Sequence, residues 1–302
     1  MRVGVTGSSG FLGTALITAL EARGDEVVRF VRPSSPAKPG TSVRWDPARG
    51  DIDERDLAAV GGFDAVVNLA GTGIASRRWN ASSRAAIMTS RTSSTSLLVD
   101  ALASRTSGVA VLVSASAIGY YGNRGDEWLD ESSGAGADYV ADVCRAWEEA
   151  ALPFAATGGS LARVRTGIVF GPGGGVWARL GPLFRLGLGG VLGDGRQWTS
   201  PISLRDEVAA LLWIVDHQLS GPFNLVAPEP CTNRQMTRAL ARALHRPALA
   251  RVPAAALRLA LGREMADNTL LTSQRVVPHA LEASGFTFAD RTIEDIAASL
   301  VS

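Results

Sequence analysis

The chain has 302 residues, enough for one large α/β domain or two unequal lobes. Apolar residues make up 46% and charged residues 20%, which excludes a disordered chain, and a formal net charge of +1 gives no basic footprint for nucleic acid or an anionic membrane. Two distant cysteines (Cys144 and Cys231) and three scattered histidines exclude a disulfide framework and give no reason to expect a metal.

In chain order, short β-branched runs alternate with amphipathic stretches, the pattern of βαβ units. Strands are expected at residues 2–6, 26–31, 64–69, 109–114 and 160–170, with a further short one at 42–45. Helices are expected at 11–23, 80–104 and 139–151. The first 170 residues thus read as a doubly wound Rossmann unit with a parallel sheet. Beyond it, Gly171-Pro172-Gly173-Gly174-Gly175 reads as a flexible break, and 187–195 is again glycine-rich. A helix at 204–217, a strand at 221–226 and a helix at 232–244 follow. Residues 253–261 are apolar at nearly every position and read as a buried helix. The division expected is 1–170 with 204–228 as the dinucleotide-binding domain, and 171–203 with 229–302 as a smaller mixed substrate lobe. No targeting segment is visible, and the run 208–215 is far short of the ~20 residues of a membrane helix. A cytoplasmic protein is expected, with no membrane or nucleic-acid partner, acting on a small molecule as a monomer or homodimer.

Gly7, Gly10 and Gly13 stand in G-x-x-G-x-x-G spacing between the first strand and the first helix. The first permits a tight turn, the second lets a pyrophosphate approach the backbone, and the third packs helix against strand. The helix N-terminus adds N–H donors and positive dipole. Cofactor contacts are therefore expected at Gly7, Ser9, Gly10, Phe11, Leu12 and Gly13. Where an NAD site carries an acid at the end of the second strand, this chain has Val31 and Arg32. A guanidinium there suits a 2′-phosphate, which favours NADP(H) over NAD(H), although a solvated strand-end arginine is the plainer account.

Asn68-Leu69-Ala70-Gly71 and Ser114-Ala115-Ser116, followed by Gly119-Tyr120-Tyr121-Gly122, join the glycine turn in resembling the extended short-chain dehydrogenase/reductases of the NAD(P)-dependent epimerase/dehydratase family. Ser90-Arg91, Cys144-x-x-Trp147-Glu148, Arg165-Thr166-Gly167-Ile168, Gly193-Asp194-Gly195-Arg196-Gln197 and Ser273-Gln274-Arg275 narrow the resemblance to the YfcH-like branch, over essentially the whole chain. The resemblance implies that Leu69, Ala70, Gly71 and Ser114 line the cofactor, that Ser116 orients a substrate carbonyl or hydroxyl, and that Arg165, Gly167 and Ile168 hold the nicotinamide end. It leaves the substrate open. In the family a histidine usually stands where this chain has Ser203.

The superfamily's Tyr-x-x-x-Lys pair is incomplete. Tyr139 lies near the start of a helix, but Val143 stands four residues on. The only lysine, Lys38, falls in the loop after the second strand, at the adenosine end. A tyrosine without a cationic partner ionises near pH 10 and is a weak base at neutrality. Tyr139 is thus either a proton donor or an amphipathic pocket wall. Substrate contacts are expected at Arg77, Trp79, Tyr120 and Arg185, for which ordinary surface arginines beside half-buried aromatics are the competing account. Cys144 reads as a buried helix residue, and Gln274-Arg275 as a ligand-closing or a surface pair. Two functions remain: an NADP(H)-binding oxidoreductase or epimerase-like enzyme, or a cofactor-sensing scaffold that has lost hydride chemistry.

Overall fold

The computed structural model describes residues 1–35, 41–74, 78–104 and 108–301. Lys38 and Arg77, singled out from the sequence, lie outside the described residues. The core is an eight-stranded sheet made of β1 (Arg2–Thr6), β2 (Glu26–Val31), β3 (Ser42–Asp46), β4 (Asp51–Ile52), β5 (Ala65–Asn68), β6 (Val111–Ala117), β8 (Ser160–Thr166) and β13 (Gly221–Leu225). Its order is β13-β8-β6-β5-β1-β2-β3-β4, parallel throughout except where β4 turns back on β3. Parallel strands are covered on both faces, which is why β5 is buried at every position and β6 at all but its last. On one face, α1 (Phe11–Ala22) and α6 (Leu204–Asp216) close over the sheet through Leu16, Leu20, Leu211 and Ile214. On the other, α3 (Ala81–Ala103) brings Leu98 and Leu102 against Val28, Phe30 and Leu112. The helix α2 (Glu54–Val60) caps the β3 edge, and α4 (Tyr139–Ala151) packs beside α3.

The remaining elements are small. After Gly167, β9 (Ile168–Phe170) leaves the main sheet to pair with β12 (Pro201–Ser203). The pairs β10 (Gly190–Leu192) with β15 (Ala250–Val252), β11 (Trp198–Thr199) with β14 (Cys231–Thr232), and β7 (Trp128–Leu129) with β16 (Arg275–Val276) tie distant segments together. Around them, α5 (Trp177–Arg185), α7 (Asn233–Ala243) and the C-terminal helix Ile293–Ser299 enclose a core of Phe170, Trp177, Phe184, Leu240 and Ile296.

Several expectations need correction. Residues 254–261 do form a helix, but only Leu257 is buried and Leu259 is 81% exposed. Four of its eight residues are alanines, which supply little surface to bury, and Arg258 interrupts the apolar run. The strand expected at 109–114 runs on to Ala117, placing Ser114 and Ser116 inside it. The strand expected at 160–170 breaks at Gly167, where a β-carbon would lie 2.3 Å from the Ser200 carbonyl oxygen. The glycine run 171–175 is a packing device: β-carbons at Gly174 and Gly175 would fall 2.2 and 2.8 Å from the Phe11 ring. Among the described residues, no helix is long and apolar enough to cross a membrane, and no group of three metal-ligating side chains converges.

Candidate dinucleotide cleft and active site

The turn from β1 to α1 is shaped by backbone crossings. Gly7 has φ +62°, and a β-carbon there would lie 2.6 Å from the Leu69 carbonyl oxygen. A β-carbon on Gly13 would sit 2.2 Å from the Gly7 carbonyl oxygen. Gly10 caps α1 with no side chain, and no acidic residue occupies the first turn. The N–H groups of Phe11, Leu12 and Gly13 therefore lack intrahelical partners at the positive end of the helix. This cradle fits the pyrophosphate of a dinucleotide. Phe11 itself is held against the Gly171–Gly175 run.

Thr6 fixes the neighbouring wall: its hydroxyl donates to Asn68 Oδ1 (2.7 Å) and accepts from the N–H groups of Leu69 and Ala70. Ser114, opposite Asn68 in the sheet, keeps a buried hydroxyl with no partner among the described residues. Arg32 follows β2 directly and has no ion-pair partner among the described residues. One residue here escaped the sequence reading. Arg91, midway along α3, lies where a β-carbon on Gly71 would be 3.5 Å from its Cζ, stacked 4.9 Å from the Trp147 ring centroid. Its guanidinium donates to the Ile87 carbonyl and meets no carboxylate among the described residues, although burial works against its charge. The only signal in the sequence was the Ser90-Arg91 segment within the resemblance.

The two expected catalytic residues lie on opposite sides of α4, Ser116 on β6 facing Glu148 and Tyr139 at the helix start facing α3. Toward β6, Ser116 donates its hydroxyl proton to Glu148 Oε1 (2.8 Å), whose carboxylate is gripped by Arg165 at 2.8 and 3.0 Å. Arg165 also donates to the Tyr121 hydroxyl (3.0 Å) and lies 3.5 Å above the Tyr120 ring. Burial opposes its charge, but Glu148 holds it protonated, while burial pushes the Tyr121 phenol up to about 12. The Arg165 side chain is thus committed to the interior. Cys144, on the same face, is buried with its thiol pushed up to about 12 by desolvation.

Toward α3, Tyr139 donates to the Arg84 carbonyl (2.6 Å), with the Arg84 guanidinium 4.3 Å above its ring and Trp79 edge-on at 5.1 Å. Burial raises its phenol above the ordinary tyrosine value, against the pull of Arg84 and Arg91. Val143, in the lysine's place, is buried. Trp79 spends its indole N–H on the Ile74 carbonyl.

Arg185 ends α5 beside Trp177, remote from both clusters in its contacts, and its carbonyl accepts from Arg246. Gln274 is buried, donating to the Ile118 carbonyl, and Arg275 is sandwiched between Trp128 and Trp198 at 3.6 and 3.9 Å. Ser203 is the N-cap of α6, accepting from the Asp206 N–H. Four residues further on, Glu207 is fully buried against Thr166, and desolvation pushes its carboxyl up to about 8.

Comparison with known proteins agrees with this architecture. The NAD dependent epimerase/dehydratase family matches residues 3–227, and a domain of unknown function (DUF1731) matches 252–300. The chain is 45% identical to the epimerase family protein Mb2239 of Mycobacterium bovis, over 96% of this chain and 94% of that one. The structure of human epimerase family protein SDR39U1 with NADPH superposes with a TM-score of 0.89 at 31% identity, covering 100% of this chain and 99% of that one. A nucleoside-diphosphate sugar epimerase from Corynebacterium glutamicum is 36% identical with a TM-score of 0.79, this chain spanning 58% of it. Glycine turn, parallel sheet and these matches together show that the chain belongs to the NAD dependent epimerase/dehydratase family.

Proposed function

We propose that the protein is an NADP(H)-dependent oxidoreductase or epimerase-like enzyme acting on a small molecule in the cytoplasm. The observation that carries this is the uncapped N-terminus of α1 over the Gly7–Gly13 crossing, which leaves backbone N–H donors and the positive helix end open to a pyrophosphate. The NADPH bound by the human relative supports the same cofactor here. Arg32 would face the 2′-phosphate, Ser9 and the α1 N–H groups the pyrophosphate, and Arg91 the negative charge passing Gly71. Ser114, Gly167 and Ile168 would border the nicotinamide end. The substrate would lie between this domain (1–170 with 204–228) and the lobe formed by 171–203 with 229–302, with Trp79 and Tyr120 at its margin.

A bound nicotinamide supplies or accepts hydride. The proton is the protein's task. Tyr139 is a neutral phenol, suited to donating a proton to an oxygen that gains charge as hydride arrives, and unsuited to acting as a resting base. It must leave the Arg84 carbonyl to do so. Ser116 has its own proton committed to Glu148, so toward substrate its oxygen accepts, favouring a hydroxyl over a carbonyl at that contact.

The commitment of both protons, with Val143 in the lysine's place, also favours a second reading: a protein that binds NADP(H) as a sensor or scaffold. Mixing the protein with NADPH and a panel of carbonyl compounds, and following the reduced nicotinamide absorbance, separates them. The enzyme reading expects turnover with at least one compound, slowed roughly 10²-fold in Tyr139→Phe. NADPH binding without turnover across the panel would overturn the reductase reading and favour the sensor.

A further inference from the structure

Tyr139 has a neighbour from far along the chain. Arg84, whose carbonyl accepts the phenol proton and whose guanidinium lies on the ring, is itself ion-paired with Glu264 at 3.0 Å. Glu264 sits between the exposed helix Ala254–Leu261 and residues 266–270, beyond every element that forms the main sheet. The charged groups facing Tyr139 are then Arg84 and Arg91 from α3 and Glu264 from the C-terminal part. The two arginines favour a phenolate, and Glu264 opposes it by neutralising Arg84.

We propose that the Arg84–Glu264 pair couples the C-terminal lobe to Tyr139: with Glu264 in contact, Tyr139 is kept a proton-bearing phenol, and with Glu264 withdrawn, the bare Arg84 guanidinium makes Tyr139 a readier base. Arg84 and Glu264 are positioning residues that set the direction of proton transfer, the task left open by the missing helix-mate lysine. Residue 84 has opposed parts: its backbone carbonyl stabilises the phenol and its side chain the phenolate. The partition between them is decided from 180 residues away.

This inference rests on the reading of Tyr139 as the proton donor. Its test uses the three tyrosines of the chain. The whole protein is labelled with a fluorinated tyrosine that ionises near neutrality, and each ring is titrated by fluorine resonance, with Tyr139 assigned by its loss in Tyr139→Phe. Arg84→Gln should raise the Tyr139 midpoint by about one unit, and Glu264→Gln should lower it by a smaller amount. Arg84→Lys, which keeps the charge, should stay within a few tenths of the parent. A merely structural pair would shift both neutral variants in the same direction, and that result, or no shift in Glu264→Gln, would overturn the coupling. Failure of the donor role itself reads differently: turnover unchanged in Tyr139→Phe, with the titration shifts intact.

Discussion

Two glycine runs meet at one side chain. Gly7–Gly13 shapes the turn before α1, Gly171–Gly175 follows β9, and Phe11 at the start of α1 lies against the second run. Their chemistry is the same and their use opposite. In the first, the glycines let backbone cross backbone, Gly13 over Gly7 and Gly7 over Leu69, and leave the helix end open. In the second, they let backbone sit flat on an aromatic ring and close the surface. Glycine composition announces close approach; what approaches is decided by the partner, which for Phe11 is some 160 residues from its neighbour in sequence, a separation no local spacing encodes.

The contrast can be broken from either side. The largest effect is expected at the first run: Gly13→Ala puts a β-carbon 2.2 Å from the Gly7 oxygen, and should weaken NADPH binding about 100-fold, or about 2.8 kcal/mol. Next, Gly174→Ala drives a β-carbon into the Phe11 ring and should cost about 2 kcal/mol in denaturant unfolding, recovered in part by Phe11→Leu. Smaller again, per unit of pH, is the contribution of Glu207, whose helix α6 also meets the second run through Leu204 at Gly171. Its carboxyl is raised by burial from 4.5 to about 8, so the unfolded chain loses this proton first as pH rises. Stability should therefore fall between about pH 5 and 8, by at most about 1.4 kcal/mol per unit, and Glu207→Gln should flatten that slope in urea titrations at several pH values. The smallest expected effect is a change of preference: Arg32→Asp should lower the ratio of NADPH to NADH affinity about tenfold, read by competitive titration.

The sheet was legible because β-branched runs of four to seven residues repeat between helices with clear caps, as at Asn80, Asp138 and Thr232. The dinucleotide turn was legible because its constraint is local. The surroundings of Tyr139 were not: Tyr139 meets Arg84 across 55 residues and Arg84 meets Glu264 across 180, so only the fold brings them together. Ser116 carried its motif openly, but its commitment to Glu148 and Arg165 depends on how α4 lies on β6 and β8. The helix Ala254–Leu261 misled for a different reason. Hydropathy reports what a segment tolerates, and burial also requires a surface to cover it.

The most direct test is calorimetric titration of NADPH into the parent protein, Gly13→Ala and Gly174→Ala, at a temperature where all three are folded. The parent and Gly174→Ala should bind with similar affinity, and Gly13→Ala should lose about two decades. Equal binding by Gly13→Ala, or none by the parent, would contradict the assignment of the first glycine run to the cofactor.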